Sequence, residues 1–414
     1  MNNKKYPDKR KRDLVGGSTK PSANNKVSIL DFFGDRFNLI ITLGIVLILA
    51  LVIAIVAVAL GRGKDTQGGN NQGGGGDTGS SDTGDTPAKD KKSFKNFSFD
   101  YFDTVSTIIG YEATQSDFTE VSRDALDLLG EYHRLFDIYN EYDGVVNLCT
   151  LNKLVDGQHQ KLKVDRKIID MLLYAKEMYT LTDGKMNIAM GSVLSVWHDY
   201  REAGSYQPVD AELPPMDILI EASKHTNIED IIIDEENSTV WLADPQMKLD
   251  VGAFAKGYAV EMVAKMLEEK GKTDYTVNVG GNIRTIGRKA NGDKWMAGVE
   301  NPEDTSTYIE YVELAGQAIV TSGSYQRYYI VDGKTYHHII DPDTLMPADK
   351  GFLSVSVICR DSGMGDGLST ALFCMTLEEG MAFVNSLDGV EVMWVTEDEV
   401  KHYSDGFGVY ITSK

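Results

Sequence analysis

The chain is short of cysteine, short of positive charge beyond its N-terminus, and in two adjacent stretches lacks first charge and then large apolar side chains. Its three cysteines, Cys149, Cys359 and Cys374, are odd in number, far apart and set in the apolar runs VVNLCTL, VSVICR and ALFCM. Disulfide frameworks need pairs and zinc sites need close spacing, so buried free thiols are expected instead. Met1 to Arg36 holds nine Lys and Arg against four Asp and Glu, whereas the remainder holds 32 against 58. Such an acidic body repels phosphate backbones and lacks the term that supplies sequence-independent affinity for them, so nucleic acid is set aside as a partner. A hydrophobic share of 42% in 414 residues argues against a disordered chain and allows a large core in one or two compact units.

No charged residue occurs from Phe37 to Gly61, and Leu39 to Leu60 is almost wholly Leu, Ile, Val and Ala. That length crosses a hydrocarbon core of roughly 30 Å. Because 36 residues precede it, an uncleaved transmembrane helix is expected over 37–61 rather than a signal peptide. Lys4, Lys5, Lys9, Arg10, Lys11 and Arg12 lie before the span and only Arg62 and Lys64 directly after it. The positive-inside rule then makes residues 1–36 a cytoplasmic tail and puts everything beyond the span outside the cytoplasm. The stretch 62–93, rich in Gly, Ser, Asp and Thr, cannot join a core and reads as a linker, which leaves residues 94–414 for the folded domain.

Within that domain the apolar spacing predicts an amphipathic helix over Asp117 to Asn140, with Asp117 and Glu120 as a capping box, and a second over Lys167 to Tyr179. A third follows Gly257 and closes at Gly271, after which β-rich runs dominate: YTVNV, WMAGVE, AIVTS, YYIV, KTYHHII and LSVSVIC. Asp332-Gly333 signals a hairpin, and GLSTALFCM with the following Thr376 start suggests closing helices. The fold is mixed α and β.

Several clusters are richer in chemistry than packing requires. Asp250 to Gly257 (DVGAFAKG) sets a carboxylate, small residues and Lys256 at the mouth of a helix, where an anion is favoured, although the octapeptide alone reads first as a plain strand-to-helix turn. NVGGN (278–282) allows close backbone approach or a bulge. Thr321, Ser322 and Gly323, then Tyr325 and Arg327, precede a hairpin ending in His337-His338-Ile339-Ile340-Asp341-Pro342. Asp366 and Thr370, four apart at the start of an expected helix, share a face and suit magnesium, or else Asp366 complements the helix dipole. MNIAMGSVLSVW (186–197) reads as core around a loop.

In this order, over most of residues 99–413, these segments closely resemble the ApbE-type flavin transferases, the FAD:protein FMN transferases. DVGAFAKGYA, NVGGNI, TSGSYQRYY, HIIDPDTLMP and DGLSTAL each match a motif of that family, while GKMNIAMGSVL departs from its usual G-x-F-D-P segment, with Asn187 for Asp and Gly191 for Pro. The resemblance implies an α+β fold, with mixed sheets and helices in one large two-lobed catalytic domain, here preceded by a transmembrane helix in place of the lipid anchor common in the family. It implies magnesium on the Ala253 carbonyl, Asp366 and Thr370. It implies contacts to FAD from Asp250, Lys256, Lys185, Met186, Asn187, Thr321, Ser322, Gly323, His338 and Ile340.

The implied reaction is attack by an acceptor threonine hydroxyl on the FMN-side phosphorus of FAD, expelling AMP, with Asp250 and His338 in the catalytic set, His338 as general base and Asp341 alternatively a loop-holding residue. The implied partners are exported FMN-binding proteins carrying a Thr-containing motif. Water as acceptor would instead give an FAD pyrophosphatase, and loss of chemistry a flavin-binding scaffold. The linker's DTGSSDT run carries one further expectation, self-flavinylation at Thr83.

Overall fold

The computed structural model describes residues 91–153 and 161–412. The expected cytoplasmic tail, the apolar stretch 37–61, Thr83 and the linker up to residue 90 lie outside the described residues, among which no helix is long and apolar enough to cross a membrane.

In chain order the elements are β1 (Lys92–Tyr101), β2 (Thr104–Glu112), α1 (Gln115–Phe136), α2 (Leu148–Asn152), β3 (Leu162–Lys163), α3 (Arg166–Leu181), α4 (Gly191–Tyr206), α5 (Met216–Ser223), β4 (Ile231–Asp234), β5 (Thr239–Leu242) and α6 (Ala255–Glu269). There follow β6 (Asp274–Val279), β7 (Asn282–Gly287), β8 (Trp295–Glu300), β9 (Tyr308–Leu314), β10 (Ala318–Gly323), β11 (Tyr328–Val331), β12 (Lys334–His337), β13 (Phe352–Cys359), α7 (Ser362–Phe373), α8 (Leu377–Val384), β14 (Glu391–Thr396) and β15 (Lys401–Tyr403).

Eight strands form one sheet in the order β1-β2-β6-β7-β10-β13-β14-β15, with every neighbouring pair antiparallel. Helices α1, α6 and α7 cover one face, and the β8–β9 hairpin sets Ala297, Val299, Val312 and Leu314 against Ile319, Ile358 and Met393 on the other. Cover on both faces explains why the central strands read as near-continuous apolar runs: β13 is buried at all but one of its positions. The β11–β12 hairpin stands apart from the sheet and packs on α4 through Tyr329 and Val331. Its turn is Asp332-Gly333, both with positive φ, as the dipeptide foretells.

The first long helix opens earlier than the sequence suggests. Thr114, not Asp117, is the N-cap, its hydroxyl accepting the Asp117 amide at 3.2 Å. Asp117 lies inside the first turn, where its charge complements the helix dipole. Asp366 departs in the same way: it sits in the body of α7 rather than at its start.

A buried ion pair ties the helical layer to the sheet. Arg284 on β7 donates from Nε to Glu261 on α6 at 2.9 Å, and Glu261 also accepts the Ser362 amide at 2.9 Å. Both side chains are almost wholly enclosed, at 6% and 4% exposure. Burial raises the Glu261 carboxyl above the usual carboxylate range, against the pull of Arg284, so removal of the guanidinium strands a desolvated acid. Arg284→Met should cost about 3–5 kcal/mol in denaturant unfolding; adding Glu261→Gln should recover part of that loss, and a double variant whose loss equals the sum of the two single losses would show that the pair carries no coupling.

Candidate active site

DVGAFAKGYA becomes the approach to α6 and its first turn, and the helix starts at Ala255 with no side-chain cap from Phe254. The nearby Gly257 amide is satisfied across the structure: it donates to Asp366 Oδ2 on α7 at 2.8 Å. A methyl group on Gly257 would lie 2.3 Å from the Ser362 carbonyl oxygen and 2.5 Å from Asp366 Cβ, so only glycine lets the two helices approach this closely.

Thr370, one turn beyond Asp366, donates from Oγ1 to the Ala253 carbonyl at 3.3 Å. Ser322 at the end of β10 lies 2.7 Å from Ser369 Oγ and 3.4 Å from Thr370 Oγ1. Lys256 Nζ reaches Asn282 Oδ1 at 3.4 Å, just past the Gly280-Gly281 turn that joins β6 to β7. A Cβ on Gly280 would strike Thr104, whereas Gly281 faces open space, so the first glycine serves packing and the second leaves the turn accessible. Asp366 is buried, and burial raises its carboxyl although Lys256 and the Gly257 amide pull it down. Asn282 is buried beside it, and its side-chain amide also draws the Asp366 carboxyl down.

This is an oxygen-rich set with one amine and one side-chain amide, which fits a divalent cation with an anionic ligand. Among the described residues no group of three or more His, Cys, Asp or Glu is placed to hold a metal, so a cation here would rest on the mixed set of Ala253 O, Asp366 and Thr370.

Three residues before Ala253, Asp250 begins a second group. Its Oδ1 accepts the Gly252 amide at 2.9 Å, and burial raises its carboxyl against His198, Arg201 and Arg327 nearby. His338 is half-buried, with Nδ1 3.1 Å from the Arg327 carbonyl. A carbonyl only accepts, so Nδ1 carries the proton and Nε2 keeps its lone pair. Burial, followed by the Arg327 guanidinium, pushes the imidazole down to about 3.

The remaining expected contacts are placed as follows. Lys185 bridges Asp343 at 2.6 Å and Asp341 at 3.5 Å, and Asp341, buried and also paired with Lys350, organises the 341–347 loop. Met186 is in the core. Asn187 spends its side chain on two backbone contacts, to Ala189 N and Thr226 O. Thr321 pairs with Ser356 Oγ across β10 and β13, Gly323 makes room for the Tyr325 ring, and the Ile340 carbonyl faces Cys374. Sequence reasoning missed Asn282, Arg201 and His198. Asn282 ends a glycine motif already singled out; the two basic residues stand on a helix with no motif to mark them.

Residues 102–394 match the sequence profile of the ApbE family. A FAD:protein FMN transferase of Klebsiella pneumoniae (strain 342) is 31% identical over 274 residues, 64% of this chain and 82% of that protein. One of Vibrio cholerae serotype O1 is 32% identical over 252 residues, 60% of this chain and 71% of that protein. The crystal structure of the ApbE protein of Thermotoga maritima is similar with a TM-score of 0.68 at 28% identity, over 78% of this chain and 100% of that one. With the profile spanning most of the chain and the fold matching throughout a solved relative, the chain belongs to the ApbE family.

Proposed function

We propose that this protein transfers the FMN half of FAD to a threonine hydroxyl of an acceptor protein through a phosphoester bond, releasing AMP. The observation that carries the reading is the gathering of Asp366, Thr370, the Ala253 carbonyl, Lys256 and Asn282 at the opening of α6, in a chain whose relatives are named FAD:protein FMN transferases. Ala253 O, Asp366 and Thr370 would hold magnesium, which when bound draws negative charge from the diphosphate oxygens. Lys256 and the Asn282 amide donate to the phosphates. Asp250 accepts from the flavin half, and the segments Lys185–Asn187, Thr321–Gly323 and Ile340 border it.

The acceptor oxygen bonds to the FMN-side phosphorus, the bridging P–O bond breaks, and AMP departs with the bridging oxygen. His338 Nε2, the nitrogen left free by the Nδ1 contact, takes the hydroxyl proton. An imidazole held near 3 is a weak base at neutral pH, but its second cause is the Arg327 charge. A bound diphosphate offsets that charge and brings the base toward its working range. The apolar stretch 37–61 and the basic residues before it are consistent with a single-pass anchor that leaves the domain outside the cytoplasm, facing exported FMN-binding acceptors.

The direct test incubates the full-length protein with FAD, magnesium and an acceptor domain, following acceptor mass and AMP. One FMN gained per acceptor is expected; AMP and free FMN without labelling would make it a pyrophosphatase, and intact FAD would leave a binding role. Asp366→Asn should lower transfer by roughly 100-fold or more. It should also abolish the magnesium-induced rise in thermal midpoint, without lowering the metal-free midpoint, since a buried charge is removed. A magnesium response that survives in the variant would contradict the assignment of Asp366 to the metal.

His338 gives a pH test. With its folded value near 3 and its ordinary value at 6.5, the unfolded chain binds the proton first as pH falls, so stability drops from about pH 6.5 downward. His338→Gln should flatten that acid limb in denaturant titrations and slow transfer roughly 100-fold or more; an unchanged limb would mean the imidazole is protonated in the fold.

A further inference from the structure

The large sheet is covered on both faces at its centre but not at its β1 end. Phe94 and Asn96 of β1 turn toward α1, where they meet Phe118 and Ser122. On the opposite face Ser93, Lys95 and Phe97 stand across from Tyr111, Ile109 and Thr107 of β2. Cover on that face ends at Tyr111, whose ring meets Trp295 of β8 at 5.9 Å. Further along, Phe97, Phe99 and Val105 are 55%, 68% and 43% exposed, an apolar patch at the edge of the sheet.

The edge strand is also basic. Lys91 to Phe99 holds three lysines and no acid, in a chain that beyond Arg36 holds 32 Lys and Arg against 58 Asp and Glu. Lys91 is paired with Asp274, whereas Lys92 and Lys95 enter no ion pair among the described residues, and Lys95 Nζ lies 4.9 Å over the Phe97 ring. Lysines on an edge strand guard against pairing with a stray strand, but guarding does not call for two exposed phenylalanines beside them. Aromatic rings flanked by lysines suit a lipid boundary, with the rings among the headgroups and the ammoniums on their phosphates. β1 is moreover the first described element after the apolar stretch 37–61. Residues 62–91 reach about 100 Å at full extension, so β1 is where the domain is tied to any bilayer that the stretch enters. The patch also borders the candidate site: the Val105 carbonyl accepts the Gly280 amide at 3.1 Å, in the turn that leads to Asn282.

We infer that the face formed by Lys92, Lys95, Phe97, Phe99 and Val105 docks on the surface of an anionic lipid bilayer and holds the Gly280-Gly281 turn close to the headgroups. The inference rests on the proposed single-pass anchor and is independent of the proposed reaction.

The test places a fluorescent probe in the patch of the full-length protein, as Phe97→Trp, and another on the connection between α4 and α5, as Val209→Trp at a position 97% exposed. Both variants and wild type, whose four tryptophans give the background, are reconstituted in phosphatidylcholine vesicles with and without phosphatidylglycerol. Flotation reads the anchor, and quenching by brominated lipid reads the docking. In anionic vesicles Phe97→Trp should gain a blue-shifted, quenched component, while Val209→Trp should be quenched no more than wild type. Lys92→Gln and Lys95→Gln added to Phe97→Trp should each lower the docked-to-undocked ratio roughly fivefold. The replaced side chains are exposed, so thermal midpoints should not move. Equal quenching of the two probes, or none for Phe97→Trp in vesicles that float with protein, overturns the docking and leaves the anchor standing; wild type that fails to float overturns both. A Phe97→Trp signal blind to brominated lipid but shifted by an added acceptor domain makes the face a protein-docking surface and also overturns the inference.

Discussion

Two buried carboxylates, each set against the opening turn of the other's helix, hold the site together. Asp366 on α7 accepts the amide of Gly257 in the first turn of α6, and Glu261, one turn further along α6, accepts the amide of Ser362, the first residue of α7. Helix openings carry the positive end of the dipole, so each contact adds charge complementarity to a hydrogen bond. The reciprocity fixes the distance and rotation of two helices that must present Asp366, Thr370 and Lys256 to one point. Gly257 makes it sterically possible, since a side chain there would push against both Ser362 and Asp366.

The two carboxylates differ in what completes them. Glu261 has Arg284, so its contact is finished within the fold and acts as a staple between helix and sheet. Asp366 has no cation at ion-pair distance among the described residues; Lys256 is directed instead at the Asn282 side chain, and Asp366 is met by the amides of Gly257 and Asn282. One end of the helix pair is thus saturated and the other is under-satisfied, which is how a rigid support and a ligand-demanding site coexist in a single packing interface.

Much of this was legible in the sequence because the chemistry sits in contiguous motifs. DVGAFAKG, NVGGN and DGLSTAL name the residues that meet at α6, and the Asp332-Gly333 pair gives the hairpin that carries His338. What could not be read has physical causes. β1 and β2 alternate weakly, because β1 is an edge strand with Phe97 and Phe99 exposed, and their runs carry no turn signal beyond the tight Phe102-Asp103 corner. The helix start at Ser362 lies ahead of Asp366 because Asp361 caps it, a signal masked by the glycines that follow. Arg201 and His198 belong to the site only through the seating of α4 on β11, a tertiary fact that spacing along one helix cannot express.

The electrostatics of the mouth bear on why an enzyme of this kind would favour an acceptor over water. Arg327 does two opposed things to His338: its carbonyl fixes the tautomer with Nε2 free, and its charge, after burial, weakens that nitrogen as a base. The first effect is geometric and persists; the second is cancelled only when an anion lies beside the guanidinium. On the proposed reading an anion beside Arg327 would raise the base strength of His338, within the limit that its burial sets. Water reaching the empty site meets a feeble base. On the proposed transfer, a seated diphosphate would strengthen that base at a mouth it also narrows, where an acceptor hydroxyl would compete against few remaining waters.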